Sequence, residues 1–403
     1  MPMQTESPAA AVESLEQQMI EWRRHIHKFP ELSFHEHGTA RFVAETLRAI
    51  EGVTVQTDVG KTGVVATISN GEGPTVAIRA DMDALPIDEK TDHSFQSKHP
   101  GIMHACGHDA HTAILLGAAK ILAKKSASGF FQGTVKLIFQ PAEECTDAEG
   151  LSGAPRMIEE GVLEGVESVL ALHVCPWHPV GTIQVNDGYS MANVDVFHGK
   201  IMGTGGHGGY PHLGTDPIWM LGSVLQAFYG VCSRTISALD TAVASIGKIH
   251  TGTASNVIPQ EVAVTGTLRT YSKEVREQLS TEVEKAFKLV EALGGSYSFE
   301  VERGEPALNN NPAVNDIIKQ AAVELYPTIQ IEEKAFGLGG EDFGYMTQHV
   351  PGSMFFLGCA LPDGIRRDLH TNIFDIDERC MLLGTEILVG STIKLLTVKS
   401  ATI

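Results

Sequence analysis

The stretch TVAIRADMD, residues 75–83, decides the fold. Thr75 to Ile78 is an apolar run that reads as a buried strand, and the polar RADMD, Arg79 to Asp83, follows at once. The same order recurs along the chain. VKLIF (Val135 to Phe139) leads into QPAEE (Gln140 to Glu144), SVLAL (Ser168 to Leu172) leads into His173, and Ser353 to Leu357 leads into Cys359 and, a loop later, His370. Helical patterns lie between these runs: TARFVAETLRAI, residues 39–50, puts Phe42, Val43, Thr46, Leu47 and Ile50 on one face, and further helices read at about Ala110 to Lys124 and over APRMIEEGVL. Strands separated by helices predict an α/β fold with a mostly parallel sheet flanked by helices.

After about Ser190 the pattern becomes strand (194–202), helix (216–234), strand (242–250), strand (261–270), helix (272–293), strand (296–302), a split βαβ, ferredoxin-like order. From about Glu305 the α/β style returns, with a helix at Ala313 to Tyr326, the strand at Ser353 and a long helix from Glu378. The expected organisation is therefore a catalytic domain in two pieces, 1–190 and 305–403, with an inserted α+β lid or dimerisation domain at 191–304. A length of 403 residues agrees, since single cores stop growing near ~250–300 residues.

Lys plus Arg number 30 and Asp plus Glu 49, a net charge of −19 that repels phosphate backbones and anionic lipid, so neither nucleic acid nor a membrane is expected as a partner. The six cysteines show no CxxC pair and no regular spacing, which suits a reducing compartment; with no signal-peptide pattern at the N-terminus, the cytoplasm is the expected location.

Ligands of open α/β sheets gather at the carboxyl ends of strands, and here those ends are rich in imidazoles, carboxylates and a thiol. HACGHDAH, residues 104–111, sits just ahead of a helix; Cys106 and His108 point to opposite sides of a helix but can converge from a turn at Gly107. These are the donors divalent transition metals use, and there are enough for two ions. Cys106 weighs as a ligand against a small core thiol; the other five cysteines read as small buried core thiols. Adjacent Glu143 and Glu144 are costly side by side unless a cation divides them, so Glu144 can bind metal while Glu143 takes a proton from a water the metal has made acidic. The bland alternative is that the pair opens a helix at 142–149 and complements its dipole.

Taken together these residues resemble the aminoacylase and carboxypeptidase group of dinuclear metallopeptidases, in particular its amidohydrolase branch of hippurate and auxin-conjugate hydrolases. The motifs are HKFPE (27–31), RADMDALP (79–86), HACGHDAHTA (104–113), FQPAEE (139–144), GGHGGYPH (205–212), SNVIP (255–259), GTLRT (266–270) and GGEDF (339–343), spread over almost the whole chain. The resemblance implies two divalent metal ions held by Cys106, His108, Glu144, His173 and His370, with Cys106 as the bridge and Glu143 as general base. It further implies a homodimer through the lid, in which His207 reaches across to polarise the scissile carbonyl, and a substrate held by Asn256 and Arg269, the latter on its carboxylate. The substrate implied is a small N-acyl amino acid, N-acetyl or N-benzoyl, cleaved to a carboxylic acid and a free amino acid.

Compared with peptidase members, Asp81 stands where they carry a histidine ligand and Cys106 where they bridge with an aspartate; Asp83 reads as orienting a ligand histidine and Asp81 as structural. His25, His27, His35 and His37 read as structural or solvated, and His104, His111 and His212 as near the site without ligating. Zinc or manganese is expected, with cobalt or nickel possible. Alternatives sharing every motif are a dipeptidase and an N-acetyl-diaminopimelate deacetylase; a different class is a catalytically silent amino-acid or metal-binding protein, opposed by the intact Glu143 and ligand set.

Overall fold

The computed structural model describes residues 8–397; the extremities of the expected first and last domain segments, 1–7 and 398–403, lie outside the described residues. The chain forms two compact units. One takes the residues up to Ser190, Asn309–Phe336 and those from Asp342 onward; the other takes Met191–Leu308 and Gly337–Glu341.

In the first unit eight strands form one sheet: β1 (Thr54–Val59), β2 (Gly63–Asn70), β3 (Thr75–Asp81), β4 (Gly133–Gln140), β5 (Ser168–Pro179), β6 (Thr182–Gln184), and the later strands Gln330–Glu332 and Gly352–Ala360. Their order is β1-β2-β4-β3-β5, then Gly352–Ala360, β6 and Gln330–Glu332. The central β4, β3, β5 and Gly352–Ala360 run parallel, β1 and β2 pair antiparallel with their neighbours, and β6 pairs antiparallel with Gly352–Ala360 and parallel with Gln330–Glu332. The parallel strands are buried almost throughout, as strands covered on both faces must be. Helices α1 (Pro8–Lys28), α2 (His37–Arg48) and α3 (His108–Ala127) pack with Pro312–Leu325 and Cys380–Thr397 around the core. Cys380–Thr397 is long and apolar enough to cross a membrane, yet 67% of it is buried inside the structure, which marks a core helix.

Two strands run further than the apolar residues alone suggest. β3 continues through Asp81 and β5 through Pro179, so Arg79, Asp81 and His173 sit within strands and are held at fixed heights.

The second unit has strands in the order Ala242–Thr251, Glu261–Thr270, Asn193–Met202, Ser296–Arg303, all antiparallel, with helices Pro217–Arg234 and Lys273–Lys288 packed on them in a ferredoxin-like arrangement. Alternate residues of Asn193–Met202 are buried, the pattern of a sheet covered on one face. Gly199 lies under the ring of Phe287, where an added Cβ would come within 2.3 Å of it. The expected boundary at 304/305 falls four residues early, and a second crossing was not anticipated: the amide of Ala192 donates to Gly339 O (3.0 Å) and the Tyr271 hydroxyl to Gly337 O (3.3 Å), stitching Gly337–Glu341 to this unit. The GGEDF motif is thereby divided between the units.

Candidate metal centre

The carboxyl ends of β3, β4 and β5 and the amino end of α3 meet at one edge of the sheet. Gly107 caps α3 in a left-handed conformation (φ +92°), and a Cβ there would meet Val174 Cγ2 at 2.3 Å. Only glycine makes this turn, and the turn sends the Cys106 thiol and the His108 ring to the same side.

Potential ligand atoms of Cys106, His108 and His173 all lie within 4.8 Å of one another, and so do those of Cys106, Glu144 and His370. Two triads thus share one thiol. Cys106 Sγ is 3.4 Å from His173 Nε2, and His370 Nε2 is 3.1 Å from Glu144 Oε1. Each buried imidazole is turned from behind: His173 Nδ1 donates to Val174 O (2.8 Å) and His108 Nδ1 to Asp83 Oδ1 (3.2 Å), which leaves Nε2 facing the cluster in both. His108 Nε2 is buried without a hydrogen-bond partner among the described residues, and buried Glu144 Oε1 faces the His370 ring. His370 is held in the left-handed region (φ +61°), with its amide donating to Ala105 O (2.8 Å), so the loop is strained where it delivers the ring.

The chain between β4 and Gly153–Glu159 is a loop, and this removes the reading of Glu143 and Glu144 as the first turn of a helix at 142–149. Ala142 has φ +47°, and the next two amides, of Glu143 and Glu144, donate to the two oxygens of Asp83 at 3.1 and 3.0 Å. Asp83 also accepts from Ser33 Oγ (2.6 Å). One carboxylate therefore sets both the His108 ring and the Glu143–Glu144 backbone. A carboxylate oxygen of Glu143 falls within 4.8 Å of ligand atoms of His108 and Glu144.

The electrostatics call for a cation. Burial disfavours charge on His108, yet Asp81, Asp83 and Glu144 outweigh it and push its pKa up to about 10. Burial together with Glu144, Glu143 and Asp81 holds the Cys106 thiol well above its usual range. Buried carboxylates that retain protons on both a thiol and an imidazole form a site that divalent metal would neutralise, and the orphaned His108 Nε2 fits such an ion.

Asp81 and His111 are taken up elsewhere. Asp81 accepts from Arg79 Nη1 (2.6 Å) and His111 Nδ1 (2.6 Å), and the Val174 amide donates to His111 Nε2 (2.9 Å), so both ring nitrogens of His111 are engaged. Arg79, buried, also reaches Asp342 Oδ1 (2.9 Å) and Gln140 Oε1 (2.9 Å). Beside His173 the rings of Phe356 and Phe336 stack at 3.7 Å, and Trp177 stacks on Phe336 at 4.8 Å.

In the second unit His207 is exposed on a two-residue strand paired with Val257–Ile258, and the Gly208 amide donates to Asn256 O (2.8 Å), which brings the backbones of His207 and Asn256 side by side on paired segments. The Gly209 amide donates to His207 Nδ1 (2.9 Å). That bond places the proton of the neutral ring on Nε2, pointing away from the turn. Arg269 lies apart from them on Glu261–Thr270, half-buried, its guanidinium on Leu268 O (3.0 Å) and Thr267 Oγ1.

Sequence reading finds Asp83 but misses most of the layer behind the candidate ligands. His27 bridges Asp109 (2.8 Å) and Glu89 (3.2 Å), and buried Arg23 reaches Asp109 (3.0 Å), Asp375 (3.2 Å) and Glu378 (3.0 Å). Asp109 in HACGHD follows a ligand candidate directly, and an acid there was the available signal. Ser33 and Glu36 were also passed over; Glu36 is buried, and burial with the nearby Asp83 charge pushes its pKa up to about 7.

The sequence pattern of the family described as Peptidase family M20/M25/M40 matches residues 77–392. The chain is 39% identical to the N-acetyl-L-cysteine deacetylase of Bacillus subtilis (strain 168) over 98% of its own length and 92% of the relative's. It is 40% identical to thermostable carboxypeptidase 1 of Saccharolobus solfataricus, over 93% of this chain and 94% of that one. Among solved structures it superposes on the Bacillus subtilis YXEP protein, a dinuclear metal binding peptidase of the M20 family, with a TM-score of 0.83 and 33% identity, covering 97% of this chain and 100% of the other. The chain therefore belongs to the M20/M25/M40 peptidase family and is a metal-dependent amidohydrolase.

Proposed function

We propose that this protein hydrolyses the amide of N-acyl amino acids of the N-acetyl or N-benzoyl type, releasing a carboxylic acid and a free amino acid. The observation that carries the reading is the pair of ligand triads sharing Cys106, with the Glu143 carboxylate beside them. Cys106, His108, Glu144, His173 and His370 would hold two divalent metal ions, zinc or manganese, with cobalt or nickel possible, and bound metal would polarise the acyl carbonyl and acidify a water. Glu143 takes the proton of the attacking water and returns it to the leaving amine nitrogen. A general base must stand within hydrogen-bond reach of that water while its own backbone stays fixed, and Asp83 supplies the fixing through the amides of Glu143 and Glu144. His207 of a partner subunit donates from Nε2 to the carbonyl oxygen as negative charge develops there. Arg269 receives the amino acid's carboxylate through a two-pronged contact, and Asn256, on the segment paired with that of His207, holds the substrate. The working form is a cytoplasmic homodimer, joined through the ferredoxin-like unit.

The likeness to a carboxypeptidase supports a second reading, hydrolysis of peptides. The Trp177–Phe336–Phe356 stack beside His173 supports the first, because a flat acyl group suits an aromatic wall. A panel of N-acetyl, N-benzoyl and dipeptide substrates, run on enzyme whose metal content is measured in parallel, tests the choice. The proposal expects the highest kcat/KM on an N-acyl amino acid and loss of turnover on chelation; a dipeptide preference of tenfold or more would replace it with the peptidase reading.

A further inference from the structure

Glu36 stands at the N-cap of α2, where an acidic side chain ordinarily accepts from the first free amides of the helix. Its side chain makes no such bond. Glu31 does that work instead, accepting from the amides of Gly38 (2.9 Å) and Thr39 (2.8 Å) and from Thr39 Oγ1 (3.1 Å). The buried Glu36 carboxyl turns inward across the unit: Oε1 accepts from the amide of Ala142 (2.8 Å) and Oε2 from Thr62 Oγ1 (2.6 Å).

Ala142 is the residue that most needs holding. It is fully buried, carries a side chain in the left-handed region at φ +47°, and immediately precedes Glu143. Its carbonyl is taken by the Gly153 amide at 2.8 Å. The three successive amides of Ala142, Glu143 and Glu144 thus all donate to buried carboxyls, the first to Glu36 and the next two to Asp83. Asp83 holds the two amides that follow the turn, and Glu36 holds the amide of the left-handed residue itself.

We propose that Glu36 is a positioning residue for the reaction: it fixes Ala142 in its left-handed conformation and through it aims the Glu143 carboxylate. The inference rests on Glu143 being the base. The Glu36 carboxyl bonds Ala142 and Thr62 and none of the metal-ligand candidates, so it acts on the geometry of proton transfer and leaves the ion-holding atoms in place. A side chain serving α2 alone would affect melting temperature and nothing else.

The test is steady-state kinetics on the metal-loaded enzyme for Glu36→Ala, Glu36→Gln and Glu143→Gln, with metal content by elemental analysis. Glu36→Ala is expected to lower kcat at least tenfold, with KM within about twofold and metal content unchanged. Glu36→Gln keeps shape and an oxygen that accepts from Ala142 while its amide group faces Thr62, so it should recover most of that kcat. Should Glu36→Ala fail to fold, Glu36→Gln combined with Thr62→Val, which leaves the Ala142 contact alone, is expected to stay within threefold of the wild-type kcat; a loss of tenfold or more overturns the proposal. Wild-type kcat in Glu36→Ala, metal loss in proportion to activity, or a Glu36→Gln enzyme as slow as Glu36→Ala would each overturn it as well. An active Glu143→Gln enzyme would instead remove the reading of Glu143 as the base, a result distinguishable from failure at Glu36.

Discussion

Cys106 and His108 carry the electrostatic signature of the site, and it has a direct consequence for metal uptake. With the thiol held well above its usual range and the imidazole at about 10, both keep a proton at neutral pH when no cation is bound. Ligation requires both to be deprotonated, so loading must expel protons and apparent affinity must rise with pH. Calorimetric titration of metal-stripped protein in buffers of differing ionisation enthalpy should give about two protons released on filling the site at pH 7. Release of none would mean that these two atoms are not ligands. His111, read as near the site without ligating, has its two nitrogens bound to Asp81 and the Val174 amide, partners set by strands β3 and β5 and invisible in the motif.

At the scale of elements, α1 is locked to the metal centre by charge. Arg23 ties it to Asp109, next to His108, and to Asp375 and Glu378, in the segment that follows His370. Replacing Arg23 with Met would leave buried Asp109 without its main cation; the expected loss of stability is roughly 3–5 kcal/mol, read by denaturant unfolding. A loss under about 1 kcal/mol would show that the network adds nothing beyond packing. The same network fixes an acid limb. Burial would raise the pKa of Glu89, but His27, Thr91 and the Ser97 amide pull it down to about 2 from an ordinary 4.5. The folded state therefore binds that proton less readily than the unfolded chain; the stabilisation is present above about 4.5 and disappears as pH falls towards 2. Glu89→Gln should flatten the melting temperature between those pH values relative to wild type; an unchanged slope would exclude Glu89 as a contributor.

These elements were read from sequence with unequal success. Strand β3 and helix α3 were legible because an apolar run and a helical stripe each report one partner, the core. The ends were not: β3 extends over Arg79 and Asp81 because Gln140 and Asp342, distant in sequence, satisfy Arg79, and Arg79 with His111 satisfies Asp81. The ligand candidates were legible as donors clustered at strand ends, whereas Glu36 and Arg23 act across the fold on residues 106 and 86 positions away. Contacts of that range leave no periodicity to read.

At the scale of the whole molecule, family membership and the sheet arrangement agree with the α/β reading, and the proposed role of His207 makes assembly testable. If His207 serves a partner's metals, activity needs two chains. Inactive His207→Ala chains mixed with inactive Glu143→Gln chains, under conditions that exchange subunits, should regain activity through the one composite site in each heterodimer. Proven exchange with no recovered turnover would rule out the trans-acting histidine.

The central claim is the division of labour between two adjacent carboxylates, Glu144 holding metal and Glu143 moving the proton. Elemental analysis paired with kcat on an N-acyl amino acid, for Glu143→Gln and Glu144→Gln, tests it most directly. Glu143→Gln should keep its metal and lose nearly all turnover, about 10²–10⁴-fold, while Glu144→Gln loses metal and turnover together. Equal metal loss in both variants, or near-normal turnover in Glu143→Gln, would contradict the account.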